Sequence, residues 1–166
     1  MAASRRLLLR TGAVLASAVA LVGGAWVWRR ANRPRPYDEH ADARAQLAQA
    51  RGIAQAQGKH VLVIFGANWC SYCQALDRTM KTAGLLSQHL ATGYAVVKVD
   101  VGDFNRNMDL DRELGRPARK GIPAMAVLSA TGQLLRAVDG IALTRAQNRG
   151  EARLVDAIEG RTAAGT

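Results

Sequence analysis

Cysteine is scarce in this chain: two residues in 166, Cys70 and Cys73. A zinc or copper site needs more ligands than two sulfurs, and the three histidines, His40, His60 and His89, all lie away from them in sequence. No histidine follows the second cysteine; Gln74 stands there, which excludes a c-type haem attachment. Aromatic residues make up only 5% of the chain and are not interleaved with basic ones, so the net charge of +10 has no nucleic-acid face to go with it. Acidic residues are missing altogether from positions 1–36, which carry seven arginines (5, 6, 10, 29, 30, 33 and 35). The remainder, 37–166, holds 16 basic and 13 acidic residues and is close to balanced. The high charge therefore belongs to the N-terminal segment, and no nucleic-acid partner is expected. Internal repeats are absent, and only the ends have low-complexity composition. The length suits one domain with appendages.

Thr11 to Trp28 is uncharged, 18 residues rich in Ala, Val, Leu and Gly, with arginines on both sides. At ~1.5 Å per residue it reaches about 27 Å, close to a ~30 Å hydrocarbon core. Trp26 and Trp28 close the stretch, where amphipathic rings favour the interface. Ser4-Arg5-Arg6-Leu7-Leu8-Leu9-Arg10 resembles the twin-arginine export signal, with Leu8 where that pattern favours Phe. Ala18-Val19-Ala20 also suits an ordinary cleaved secretory signal. Arginines flank the stretch on both sides, so their count does not orient it. The twin arginine at the very start favours export to the periplasm, with anchor and cleaved signal both open. The expected organisation is a signal or membrane anchor at 1–28, a stiff linker at 29–40 containing Pro34 and Pro36, a folded domain at 41–160 and a flexible tail at 161–166.

The pattern beyond residue 38 predicts, in order, helix (38–57), strand (60–65), a helix interrupted near residue 83 (71–90), strand (94–101), helix (105–114), strand (123–128), strand (133–138) and helix (146–158). Val61-Leu62-Val63-Ile64-Phe65 is a continuous apolar run, which suits a strand buried on both faces. The two strands joined at Thr131-Gly132 must form an antiparallel hairpin. This order predicts an α/β domain with a mixed sheet of four to five strands and helices on both faces.

Cys70 and Cys73 follow the first strand directly and open a helix. Unpaired N–H groups and the macrodipole at a helix N-terminus favour a thiolate, and can bring a cysteine pKa from ~8.5 into the range of roughly 3.5–7.5. A nucleophilic thiol with a second thiol one turn further in is the minimum for thiol–disulfide exchange. A static disulfide closing so small a ring constrains little chain, so the placement argues for chemistry. The rival expectation is a binding or chaperone module with vestigial cysteines.

Phe65-Gly66-Ala67-Asn68-Trp69-Cys70-Ser71-Tyr72-Cys73, followed by Lys120-Gly121-Ile122-Pro123, resembles the thioredoxin family. It is more narrowly similar to bacterial exported thioredoxin-like domains with a lengthened segment, here Val99 to Asp103. The resemblance covers about residues 41–160 and implies a thioredoxin fold and a thiol:disulfide oxidoreductase with Cys70 and Cys73 as its redox pair. It further implies that Pro123 is cis and lies against the disulfide, that the backbone of Ile122 pairs with the substrate chain, and that Trp69 covers the groove. Ser71 and Tyr72 between the cysteines, and Lys98 on the neighbouring strand, would tune the pair. The implied partners are protein thiols or disulfides and a membrane electron donor, since the chain has no electron-carrying domain. No cofactor or metal is implied, and the resemblance leans toward the reducing direction. Two departures stand out: Ile64 occupies the position of the buried acid of thioredoxins proper, and Ser71-Tyr72 replaces their Gly-Pro.

Overall fold

The computed structural model describes residues 34–161; the apolar stretch Thr11–Trp28, its arginine flanks and residues 162–166 lie outside the described residues. Among the described residues no helix is long and apolar enough to cross a membrane. A compact unit runs from Arg35 onward.

Four strands form one mixed sheet: β1 (His60–Gly66), β2 (Tyr94–Asp100), β3 (Ala124–Leu128) and β4 (Leu134–Val138), in the order β2-β1-β3-β4. β1 runs parallel to β2 and antiparallel to β3, and β3 and β4 form the expected antiparallel hairpin, with a bulge at Val127/Leu128. Central position explains the unbroken apolar run of β1. Successive side chains point to opposite faces, and both faces are covered. Val61, Val63 and Phe65 join a core with helices α1 (Ala43–Gln57) and α4 (Met108–Glu113). Leu62 and Ile64 join a second core with α2 (Ser71–Lys81), α3 (Leu85–Gly93), α5 (Gly140–Asn148) and α6 (Glu151–Glu159). Helices on both faces of a mixed sheet are what the sequence pattern predicts.

Local chemistry sets the helix limits, and three differ from expectation. α1 starts at Ala43 instead of near Asp38, because Asp42 caps it by accepting from the N–H groups of Arg44 (2.9 Å) and Ala45 (3.1 Å). α4 is shorter than predicted, since Gly102, Phe104 and Asn107 all adopt left-handed conformations in the preceding turn. The expected single helix over 146–158 is two. α5 begins at Gly140, capped by Asp139, and Gly150 at φ 97° separates it from α6.

Candidate active site

β1 delivers the chain to the cysteine pair. After Gly66 a short loop reaches Cys70, which is the N-cap of α2; the Cys73 N–H donates to the Cys70 sulfur at 3.1 Å. The first turn of α2 carries no acidic side chain, so nothing there opposes a thiolate at the cap. Cys70 and Cys73 form a disulfide with their Cα atoms 5.2 Å apart. Cys70 is 6% exposed and Cys73 is fully buried, so only the first has an edge toward solvent.

A second segment meets this helix start from 50 residues further along. The 3₁₀ turn Pro117–Lys120 precedes Gly121 and the Ile122–Pro123 peptide bond, which is cis, as the resemblance implies. The Ile122 carbonyl oxygen lies 3.7 Å from the Cys70 sulfur. Buried Asp111 braces the turn by accepting from the Ala118 N–H at 2.8 Å. Gly140 allows α5 to start against the Gly121 carbonyl, where any Cβ would overlap it.

Around this centre the predicted residues separate into groups. Trp69 is 58% exposed, donates its indole N–H to the Gly102 carbonyl at 3.0 Å and tilts against exposed Phe104, so it is no core aromatic. Ser71 and Tyr72 are also exposed on the first turn of α2. Lys98 stands opposite Ile64 in the β1–β2 register, and its ammonium is engaged by Asp77. Among the described residues no group of three His, Cys, Asp or Glu could hold a metal ion.

The sequence profile of the thioredoxin-like family matches residues 42–130, more than half of the chain. The chain belongs to that family. A solved disulphide isomerase from Xylella fastidiosa Temecula1 is 35% identical over 77% of this chain and 97% of its own, with a TM-score of 0.70. A thioredoxin from Thermus thermophilus, 23% identical over 71% of this chain and 85% of its own, shares the fold at a TM-score of 0.50. A search of curated proteins finds no match. As a member of the thioredoxin-like family with a Cys-x-x-Cys pair at disulfide distance, the protein is a thiol:disulfide oxidoreductase.

Three residues at this site were not singled out by sequence reasoning. Tyr37, placed in the expected linker, is buried in one cluster with the two cysteines. Asn68 clamps the Tyr37 backbone from the loop before Cys70. Asp77, one turn after Cys73 on α2, is 4% exposed and binds Lys98 and Lys81. The Asp77–Lys81 spacing of four was the only readable signal among them. Burial works to raise the Asp77 pKa, but hydrogen bonds from Lys98 and Lys81 outweigh it and hold the carboxyl below the usual range. Asp77 is thus negatively charged at neutral pH.

A carboxyl held low in the fold contributes stability above its unfolded pKa of ~4, and that contribution is lost as pH falls through the lower folded value. Asp77→Asn is expected to lower stability at neutral pH by about 1–3 kcal/mol and to flatten the acid limb of the stability profile. Urea unfolding from about pH 2 to about pH 7 measures both, and an unchanged acid limb would contradict the assignment.

Proposed function

We propose that the protein exchanges disulfides with exported proteins and works in the reducing direction. The observation that carries the exchange chemistry is Cys70 at the cap of α2, its sulfur receiving the Cys73 N–H with the Ile122 carbonyl 3.7 Å away. In this mechanism the Cys70 thiolate attacks a substrate disulfide, forming a mixed disulfide and releasing one substrate thiolate. Cys73 then loses its proton and attacks the Cys70 sulfur, breaking the mixed disulfide and releasing the second substrate thiol. Two electrons pass from the dithiol to the substrate.

Ile122 and Pro123 form one wall of the substrate groove and Trp69 the other. An extended substrate segment pairs with the Ile122 backbone in the way a short strand adds to an edge. Ser71, Tyr72 and Lys98 adjust the redox poise of the pair. Reduction of the spent disulfide falls to an electron donor at the membrane. Export is supported by the paired Arg5-Arg6 ahead of the apolar stretch. The Xylella relative is described as a disulphide isomerase; isomerisation begins with the same Cys70 attack and ends when a substrate thiol, in place of Cys73, resolves the mixed disulfide.

Cys73→Ser removes the resolving thiol, so mixed disulfides on Cys70 are expected to accumulate in cells and to be recovered on exported proteins. Absence of any adduct, together with no insulin reduction by the wild type, would sink the enzymatic reading. Alkylation trapping of the wild type in cells reads direction: a mostly reduced pair supports the reductase, a mostly oxidised pair overturns it.

A further inference from the structure

Gly66 closes β1 four residues before Cys70, and the space beside its Cα is taken. A Cβ at this position would overlap the hydroxyl and Cζ of Tyr37. Tyr37 is 3% exposed and packs in one apolar cluster with Cys70, Cys73 and partly buried Ile122. Its backbone is gripped from both sides by one side chain: the Tyr37 N–H donates to Asn68 Oδ1 at 3.1 Å, and its carbonyl accepts from Asn68 Nδ2 at 2.8 Å. Asn68 sits two residues before Cys70, so the loop that carries the nucleophile also carries the clamp. Arg106 adds a second tie, donating to the Glu39 carbonyl at 3.0 Å. A tyrosine far upstream is thereby fixed in the buried cluster that holds the redox pair.

We propose that Tyr37 is a positioning residue for the exchange reaction, its ring seated in the gap left by Gly66 so that it walls Cys73 off from water. The proposal rests on the oxidoreductase reading above. A thiolate in a dry, apolar site is disfavoured, so a shielded Cys73 keeps its proton in the resting dithiol. It ionises when the mixed disulfide has formed at Cys70 and the departing substrate thiolate is there to take the proton. Premature ionisation of Cys73 is the event the wall prevents.

The phenol is not the base in this step. Burial pushes the Tyr37 pKa up, and the charges of Asp77 and Asp100 push it further, so it stays protonated at neutral pH. The charged groups around the ring are themselves paired: Asp77 with Lys98 and Lys81, and Asp100 with Arg106.

The test follows alkylation of Cys73 in the fully reduced protein against pH, with the two thiols separated by peptide mass. Tyr37→Ala opens the wall, and Gly66→Ala forces the ring out without touching the tyrosine. Both are expected to speed Cys73 alkylation at pH 7 about tenfold and to lower its apparent pKa by about one unit. Tyr37→Phe keeps the ring and is expected to leave the profile within about twofold of wild type. Tyr37→Leu, which fills more of the space than Ala, gives an intermediate profile and serves if Tyr37→Ala does not fold. An unmoved Cys73 profile in folded Tyr37→Leu or Gly66→Ala protein overturns the proposal. So does a Tyr37→Phe profile shifted as far as Tyr37→Ala, because the hydroxyl and not the wall would then be responsible. Insulin reduction by wild type is measured alongside. Its absence, together with no adduct trapped on Cys73→Ser, refutes the oxidoreductase reading, while the alkylation profile still reports the wall.

Discussion

Cys70→Ser is expected to bring insulin reduction down to the uncatalysed rate. A serine hydroxyl stays protonated at neutral pH and cannot form the mixed disulfide through which exchange passes. Cys73 cannot take over, because it is fully buried behind the first turn of α2 while Cys70 holds the solvent-facing edge. The variant keeps its cap position and should fold. Closing so short a loop restrains the unfolded chain by only about 2 kcal/mol, so Cys70→Ser should match the reduced wild type in stability and fall below the oxidised form by about that amount. Residual turnover well above background in a folded Cys70→Ser protein would remove Cys70 from the nucleophile's role.

Phe65→Ala is expected to produce the largest loss of stability, about 3–5 kcal/mol. Phe65 is completely buried in the core shared with α1 and α4, and its backbone pairs with Val99 on one side and Ala124 on the other. Deleting the ring leaves a cavity at the centre of the sheet, and against a total stability of about 5–15 kcal/mol it could leave the domain only marginally folded. Because Ala124 follows Pro123 and Phe65 leads into Gly66, relaxation around the cavity should also loosen the approach of Ile122 to Cys70. The comparison is Leu135→Ala on β4, where the side chain is half exposed and the change should stay within about 0.5 kcal/mol. Urea denaturation of the two variants beside wild type decides the matter: a Phe65→Ala loss below about 1 kcal/mol would mean that this core relaxes in a way its packing does not suggest.

The redox centre was legible because its parts are close in sequence and obey local rules. An unbroken run from Val61 to Phe65 needs two covered faces, and a Cys-x-x-Cys at its end must fall on a helix start. Gly150 was harder, because the residues on both sides of it favour helix and only its left-handed backbone shows that the helix is broken. Asp77 was half legible: its pairing with Lys81 follows from spacing, whereas its pairing with Lys98 requires α2 to cross β2. Tyr37 had no local signal. It stands between Pro36 and Asp38 in a segment that reads as a spacer.

Periodicity, capping residues and the spacing of two sulfurs are short-range properties, and they sufficed for the mixed sheet, its central strand and the thiol pair at a helix cap. Folding alone decided which distant groups surround that pair. Tyr37 meets Asn68 across 31 positions, and the Ile122 carbonyl meets Cys70 across 52. Contacts at such separations are set by how helices and strands stack to exclude water, a collective outcome that no stretch of neighbouring residues encodes. Cys70 and Cys73 are a redox pair by local design, and how dry Cys73 stays was settled by packing.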